Sequence, residues 1–277
     1  MRHPRSTPAR GQGSLRIGQS AGASVVLGAQ AREPLKWLVP RHRGPAAWVY
    51  ASSFGGGLVA GDRLDLRLEL RSSARCFLGT QASTKIFHRQ GALGAAQSLQ
   101  AQLAADSLLI SLPDPVTCFA EADYLQEQVF HCQAGASLVA LDCCSAGRSA
   151  NGEHWAMQRY ASRTDLVYDG RQRLSDRLLL ADQPGCRIAE RCAAASILAN
   201  LLLAGPATEC LRRQLAADLT EPLSLDAGII ESFSPIDADC AIWRLAGDSV
   251  ASAQQHIFAR LDDFDELLGG RPWRRRA

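Results

Sequence analysis

From Leu64 to Arg71 the chain reads LDLRLELR, with leucine at every even position and a charge at every odd one. A period of two is that of a strand with one face buried and one wet. Strand-like length or alternation recurs at 46–52, 75–78, 86–88, 98–103, 108–112, 124–131, 138–143 and 173–180. Asp106-Ser107, Gln133-Ala134-Gly135, Asn151-Gly152 and Asp169-Gly170 punctuate these runs with residues that favour turns. Strands this short and regular predict a mainly β fold, an antiparallel two-layer or β-helix-like sheet structure.

The period changes late in the chain. Pro206 opens a stretch to Leu219 with leucine at 211, 215 and 219, and residues 248–268 carry apolar side chains at 250, 257, 258, 261, 264 and 267 before Gly269-Gly270. Both spacings predict helices, the first opened by proline and the second closed by glycine. Between them, 228–232 and 241–245 read as strands. The pattern predicts one β-rich domain over 21–270, with a small α/β segment from about residue 185 that carries two helices.

Composition adds limits. The chain has 277 residues, 47% of them apolar and 21% charged, as expected of a globular protein with a sizeable core. The longest apolar run, 193–204, is too short to span a bilayer and is broken by Asn200. Four arginines and no acid lie in residues 1–20, and four more arginines in 271–277, which leaves the stretch between them net acidic. The N-terminal segment lacks the apolar core of a secretory signal, so residues 1–20 read as a basic, disordered tail and 271–277 as a basic tail. No aromatic residues interleave with them as a nucleic-acid platform requires. Nine cysteines occur without a C-x-x-C pair, which fits free thiols in a reducing cytoplasm better than a disulfide framework.

The stretch FGGGLVAGD, Phe54–Asp62, is the first candidate for chemistry. Gly55, Gly57 and Ala60 match a dinucleotide fingerprint, but a strand pattern follows where a helix N-terminus has to stand. Gly56 and Gly61 have the spacing of a phosphate loop, yet Asp62-Arg63 occupy the Lys-Ser/Thr positions, and a carboxylate there repels phosphate. The glycines then serve a sharp turn or a close backbone approach. Asp62 has two readings, an acceptor for turn amides or a carboxylate held for a metal or partner.

Four blocks in order carry a resemblance: WVYASSFGGGLVAGDRLDLRLEL, FLGTQASTKIFHR, SLPDPVTCFAEADYLQEQVFHC and ALDCCSAGRSANGEHW. Together they cover roughly 46–160 and resemble the urease accessory protein UreD family, also called UreH. The resemblance implies a mostly antiparallel β fold and a protein that is not an enzyme. It implies a scaffold that binds apo-urease and UreF, which carries the GTPase UreG, with a homodimer in the complex. It also implies no stably bound cofactor, with Ni²⁺ passing in transit to urease. Asp62, Asp142 and Glu153 match positions tied to a nickel channel, and Gly56, Gly57, Gly61, Thr84, Lys85, Gly147 and Arg148 match structural or interaction positions. Carboxylates and water hold such an ion more labilely than a His/Cys cage, and none of the six histidines pairs with another at ligand spacing.

Each position also has a plainer reading. Asp142 ends the apolar run LVALD and serves as a buried turn acceptor; Glu153 follows Asn151-Gly152 as a hairpin-turn charge. Lys85, one of two lysines, pairs with an internal carboxylate, and Arg148 makes a salt bridge. Cys118, Cys143 and Cys144 are buried thiols before they are nickel ligands. Pro113-Asp114-Pro115 replaces the Leu-Pro-Gln form common in bacterial members, which leaves that segment without an assigned role. The C-terminal helices are expected to face UreF or a second copy. Two other classes stay open: a metal-dependent hydrolase using Asp62, Asp142 and Glu153, and a β-sandwich binding module.

Overall fold

The four leucines of LDLRLELR are all buried and its charges all point to solvent, as the alternation requires. Each fully buried leucine contributes roughly 1.5–3 kcal/mol. The computed structural model describes residues 10–41, 44–220 and 228–274. Along these residues the strands are β1 (Arg10–Ser20), β2 (Ala23–Arg32), β3 (Leu35–Leu38), β4 (Ala47–Ser53), β5 (Arg63–Leu70), β6 (Arg75–Thr80), β7 (Thr84–Ile86), β8 (Ala95–Leu103), β9 (Leu108–Leu112), β10 (Val116–Cys118), β11 (Asp123–Cys132), β12 (Ser137–Ser145), β13 (Arg159–Tyr168), β14 (Arg171–Ala181), β15 (Ile197–Ala204), β16 (Ile229–Pro235) and β17 (Cys240–Gly247). The helices are α1 (Ile188–Cys192), α2 (Glu209–Asp218), α3 (Val250–Arg260) and α4 (Asp265–Leu268).

The strands form two layers. One sheet runs β14-β13-β11-β8-β5-β1-β2, the other β16-β17-β15-β12-β9-β6-β4-β3, with β10 beside β12 and β7 beside β10. From β4 to β13 the chain alternates between the layers and climbs one rung each time, as in a β-solenoid. The two-layer, β-helix-like expectation holds, but the direction of the inner strands does not follow it. The ladders β5·β8·β11·β13 and β4·β6·β9·β12 are parallel. Antiparallel pairs lie toward the ends, at β1·β2, β3·β4, β13·β14, β12·β15, β15·β17 and β16·β17. Alternation reports burial of one face and is silent on direction.

The two ends of the solenoid differ. At one end short turns join the layers, and residues 73, 106 and 135 repeat a left-handed backbone from rung to rung. Gly135 is needed there, because a Cβ would lie 2.5 Å from Asp106 Oδ1. At the other end every crossover is long: 54–62, 81–94, 113–122 and 146–158. All four blocks of the family resemblance therefore send their loops to one end. There Leu58 bridges Ile86, β7 pairs with β10, and β10 pairs with the last residues of β12, giving the solenoid a short third face.

One core fills the space between the layers. A second lies on the outer side of the β12-containing sheet, where α2 buries Leu211 and Leu215, α3 buries Ala253 and Ile257, and α4 buries Leu268. Ser249 caps α3 by accepting from Ser252 N, and Gly269 closes α4 in a left-handed conformation. The tails need correction. Residues 10–20 are β1, hydrogen-bonded to β2 and β5. Arg271 pairs with Asp262 and Asp265, Arg274 with Asp262, and Trp273 is buried. Residues 1–9 and 275–277 lie outside the described residues. Among those that are described, no helix is long and apolar enough to cross a membrane.

Candidate functional site

The parallel register stacks polar side chains inside the solenoid. Gln97 of β8 lies beside Gln126 of β11, and Gln126 beside Ser162 of β13. One step along, Gln128 lies beside Thr164, and Thr164 beside Asp176 of β14. Across the core, Asp142 of β12 is level with Asn200 of β15, and Asn200 with Arg244 of β17. Gln126, Gln128, Asp142, Ser162 and Thr164 are each at most 8% exposed. Neighbouring strands stand about 4.8 Å apart, so Gln97 to Ser162 spans about 10 Å of the axis.

Asp142 is the centre of this band. Its Oδ1 accepts from Gln126 Nε2 at 2.8 Å and from the Tyr160 hydroxyl at 2.8 Å, and its Oδ2 accepts from the Ser162 hydroxyl. Burial pushes the carboxyl above its ordinary value, and the nearby Asp176 pushes the same way, while the three donors oppose them. A buried acid with three converging donors is costly to desolvate and is held by those donors. β12 runs on to Ser145, so Asp142 sits in mid-strand, not at the turn where the sequence placed it.

The band meets space at both ends. A cavity of about 50 Å³ beside it is lined on its polar side by Thr80, Thr84, Gln97, Ser111, Gln126 and Gln128, and elsewhere by apolar side chains that include Leu66, Leu78, Leu99 and Val116. Liquid water takes about 30 Å³ per molecule, so this chamber has room for one or two. On the far side, Asn200, Asp176, Arg244, Glu231 and Ser232 line an open cleft of about 300 Å³. Arg244 Nη2 holds Asp176 Oδ1 at 2.7 Å there.

The other expected acids stand apart. Asp62 is 5% exposed, and its Oδ2 accepts from Val59 N at 3.0 Å, the turn-amide role. It precedes β5, two strands from β11. Glu153 is no hairpin charge. It lies in the crossover from β12 to β13, after a 3₁₀ turn at Ser149–Asn151, and both its oxygens are engaged: with Arg148, and with Ala120 N at 3.2 Å. The Arg148 guanidinium holds its carboxyl below the ordinary value and also lies 4.1 Å from the centre of the Phe119 ring. Gly147 reaches φ 110°, and a Cβ there would crowd Cys118 O at 3.1 Å. Thus Asp62, Asp142 and Glu153 do not share one site. Among the described residues no three His, Cys, Asp or Glu form a metal-holding group.

The remaining expectations fall on the crossover end. Gly57 lets the Leu58 strand approach β7, since a Cβ would lie 2.4 Å from Lys85 O. Gly56 and Gly61 adopt left-handed conformations in the same loop. Thr84 lines the chamber. Lys85 is exposed and makes no ion pair among the described residues, so it does not neutralise an internal carboxylate. Cys118, Cys143 and Cys144 are buried thiols, and burial pushes Cys118 up to about 12 and the other two well above their usual range. A thiol so placed stays protonated and is a poor ligand. The sequence reasoning missed Gln97, Gln126, Gln128, Tyr160 and Ser162. The signal for Gln126 and Gln128 is the phase of YLQEQVFHC: Tyr124, Phe130 and Cys132 face inward, and the two glutamines share that phase.

Comparison with known proteins follows the same outline. The model of the UreD urease accessory protein family matches residues 9–276. The chain is 38% identical over 266 residues to a urease accessory protein UreD of Anaeromyxobacter sp. (strain Fw109-5), covering 96% of this chain and 89% of that protein. It is 39% identical over 266 residues to one of Sorangium cellulosum (strain So ce56), covering 96% and 84%. It is 32% identical over 224 residues to urease accessory protein D of Oryza sativa subsp. japonica, covering 79% and 72%.

Proposed function

The chain belongs to the UreD urease accessory protein family and has a role in urease maturation, and from that premise we propose that it carries Ni²⁺ toward apo-urease along the polar band inside its solenoid. The ion is cargo, and the chain performs no chemistry of its own on it. The observation that supports this reading is the file of buried oxygen-bearing side chains from the chamber through Gln126 and Asp142 to the cleft at Asp176. Amide, hydroxyl and single carboxylate oxygens give weak, exchangeable sites, which suits transfer better than storage. Asp62 and Glu153, each tied to local partners, shape the loops instead of touching the ion.

We further propose that the stacked loop end and the helical face carry the protein's partners: apo-urease, UreF, and UreG through UreF, with two copies of this chain in the assembly. All nine cysteines are free, which supports a reducing cytoplasm as the place of action. The test is a deletion in cells that keep the urease subunits and the other accessory proteins. Urease purified from them should be assembled but poor in nickel, with partial recovery in excess nickel. Fully loaded urease without this chain would overturn the proposal.

A further inference from the structure

Pro113-Asp114-Pro115 joins β9 to β10 and is outside the band as described above. Asp114 nevertheless lines two spaces at once. One is the 50 Å³ chamber that also contacts Gln126 and Gln128. The other is an open groove of about 1290 Å³ on the outer side of the sheet, between Val39, Tyr50, Gln81–Ser83, Phe258 of α3 and Trp273. Among the described residues Asp114 is the one common to the two linings. It is partly buried. The Thr80 hydroxyl donates to Asp114 Oδ2 at 3.0 Å and accepts from Asp114 N at 2.8 Å. Prolines on both sides remove the flanking N–H groups and fix φ, so this short segment cannot be drawn into a ladder.

We propose that Asp114 is the port of the interior band: a divalent cation passes between the outer groove and the chamber by exchange across its carboxylate, and Thr80 latches that carboxylate when no ion is there. This inference rests on the reading that the band carries Ni²⁺. The chamber has room for one or two waters, so an ion cannot enter with a full hydration shell. A carboxylate at the threshold offsets the lost hydration, and the Thr80 hydroxyl and the amide oxygens beyond take over as ligands. One carboxylate with neutral oxygens binds loosely enough to release. Replacing it with a neutral amide keeps the shape of the side chain and removes the charge.

The test uses the full chain with urease and the other maturation proteins, comparing Asp114→Asn, Asp114→Glu and Asp142→Asn with wild type. Two quantities are read at limiting nickel: nickel atoms per urease over time, by elemental mass spectrometry, and retention of this chain in the assembly, by pull-down. Asp114→Asn is expected to slow loading at least fivefold with retention unchanged, and Asp114→Glu to restore at least half of the rate. Normal loading in Asp114→Asn beside slow loading in Asp142→Asn would overturn the port and leave the band standing. Normal loading in both would overturn both. Loss of retention in Asp114→Asn would overturn the port in favour of a docking role. Should Asp114→Asn fail to accumulate as folded protein, Asp114→Ser carries the same expectation.

Discussion

Asp142→Asn separates what the carboxylate does for the fold from what it does for cargo. Asparagine keeps one acceptor oxygen, so the bonds from Gln126 Nε2 and the Tyr160 hydroxyl remain. Its amide nitrogen replaces Oδ2 and donates to Ser162, whose hydroxyl turns to accept. Exchanging one such bond costs about 0.5–1.5 kcal/mol, against which stands the relief of no longer burying a charge. Asp142→Ala instead strands three buried donors at about 1–3 kcal/mol each. For a chain of this size 1 kcal/mol moves Tm by about 2–4 °C. The expected result is Asn within about 5 °C of wild type and Ala lower by about 10 °C or more, by thermal unfolding. The sign with pH follows from burial. A carboxyl whose folded pKa lies above 3.8 stabilises the fold below that value and loses its contribution as pH rises through the folded pKa. The stability of Asp142→Asn relative to wild type should therefore improve as pH rises. Nickel loading of urease should fall with Asn although the fold is kept. An Asn variant that unfolds as readily as Ala refutes the hydrogen-bond reasoning, and one that loads urease normally refutes the transport reasoning.

Glu153→Gln is expected to flatten the loss of stability on acidification: Arg148 holds the Glu153 carboxyl below 4.5, so its contribution is present above that pH and fades as pH falls through the lowered value. A denaturation series from pH 3 to 7 with unchanged acid sensitivity would refute the pairing. Gly57→Ala places a Cβ 2.4 Å from Lys85 O, against backbone. It should cost about 1–3 kcal/mol in chemical denaturation, as overpacking does, and a neutral effect would mean the loop is not held against β7.

Much of the fold is legible in alternation. LDLRLELR, the run 138–143 and the late leucines at 211 and 215 take the elements and the burial expected of them. Strand direction is not legible, because parallel and antiparallel strands with one wet face carry the same period. Here the face of β5 that shows Asp65, Arg67 and Glu69 stays open to solvent in a parallel ladder. β1 was hidden by composition: RGQGSLRIGQS looks like a basic tail until Leu15 and Ile17 are seen to seal the core. The site was half legible. Asp142 stood out as an acid closing an apolar run. Gln126 and Ser162 did not, because a polar residue in the inward phase breaks the pattern by which inward residues are found. Asp114 needed the third dimension, since only the fold shows one side chain facing two spaces.

If the interior of the solenoid conducts the ion, the amide oxygens that line it are required for transfer. Gln97, Gln126 and Gln128 changed together to leucine keep similar bulk while removing the amide oxygens from the band. The deciding measurement is the nickel content of urease matured with this triple variant, confirmed as folded and retained in the assembly. Urease with less than about a tenth of the normal nickel is expected, and urease with its full complement would contradict conduction through the interior.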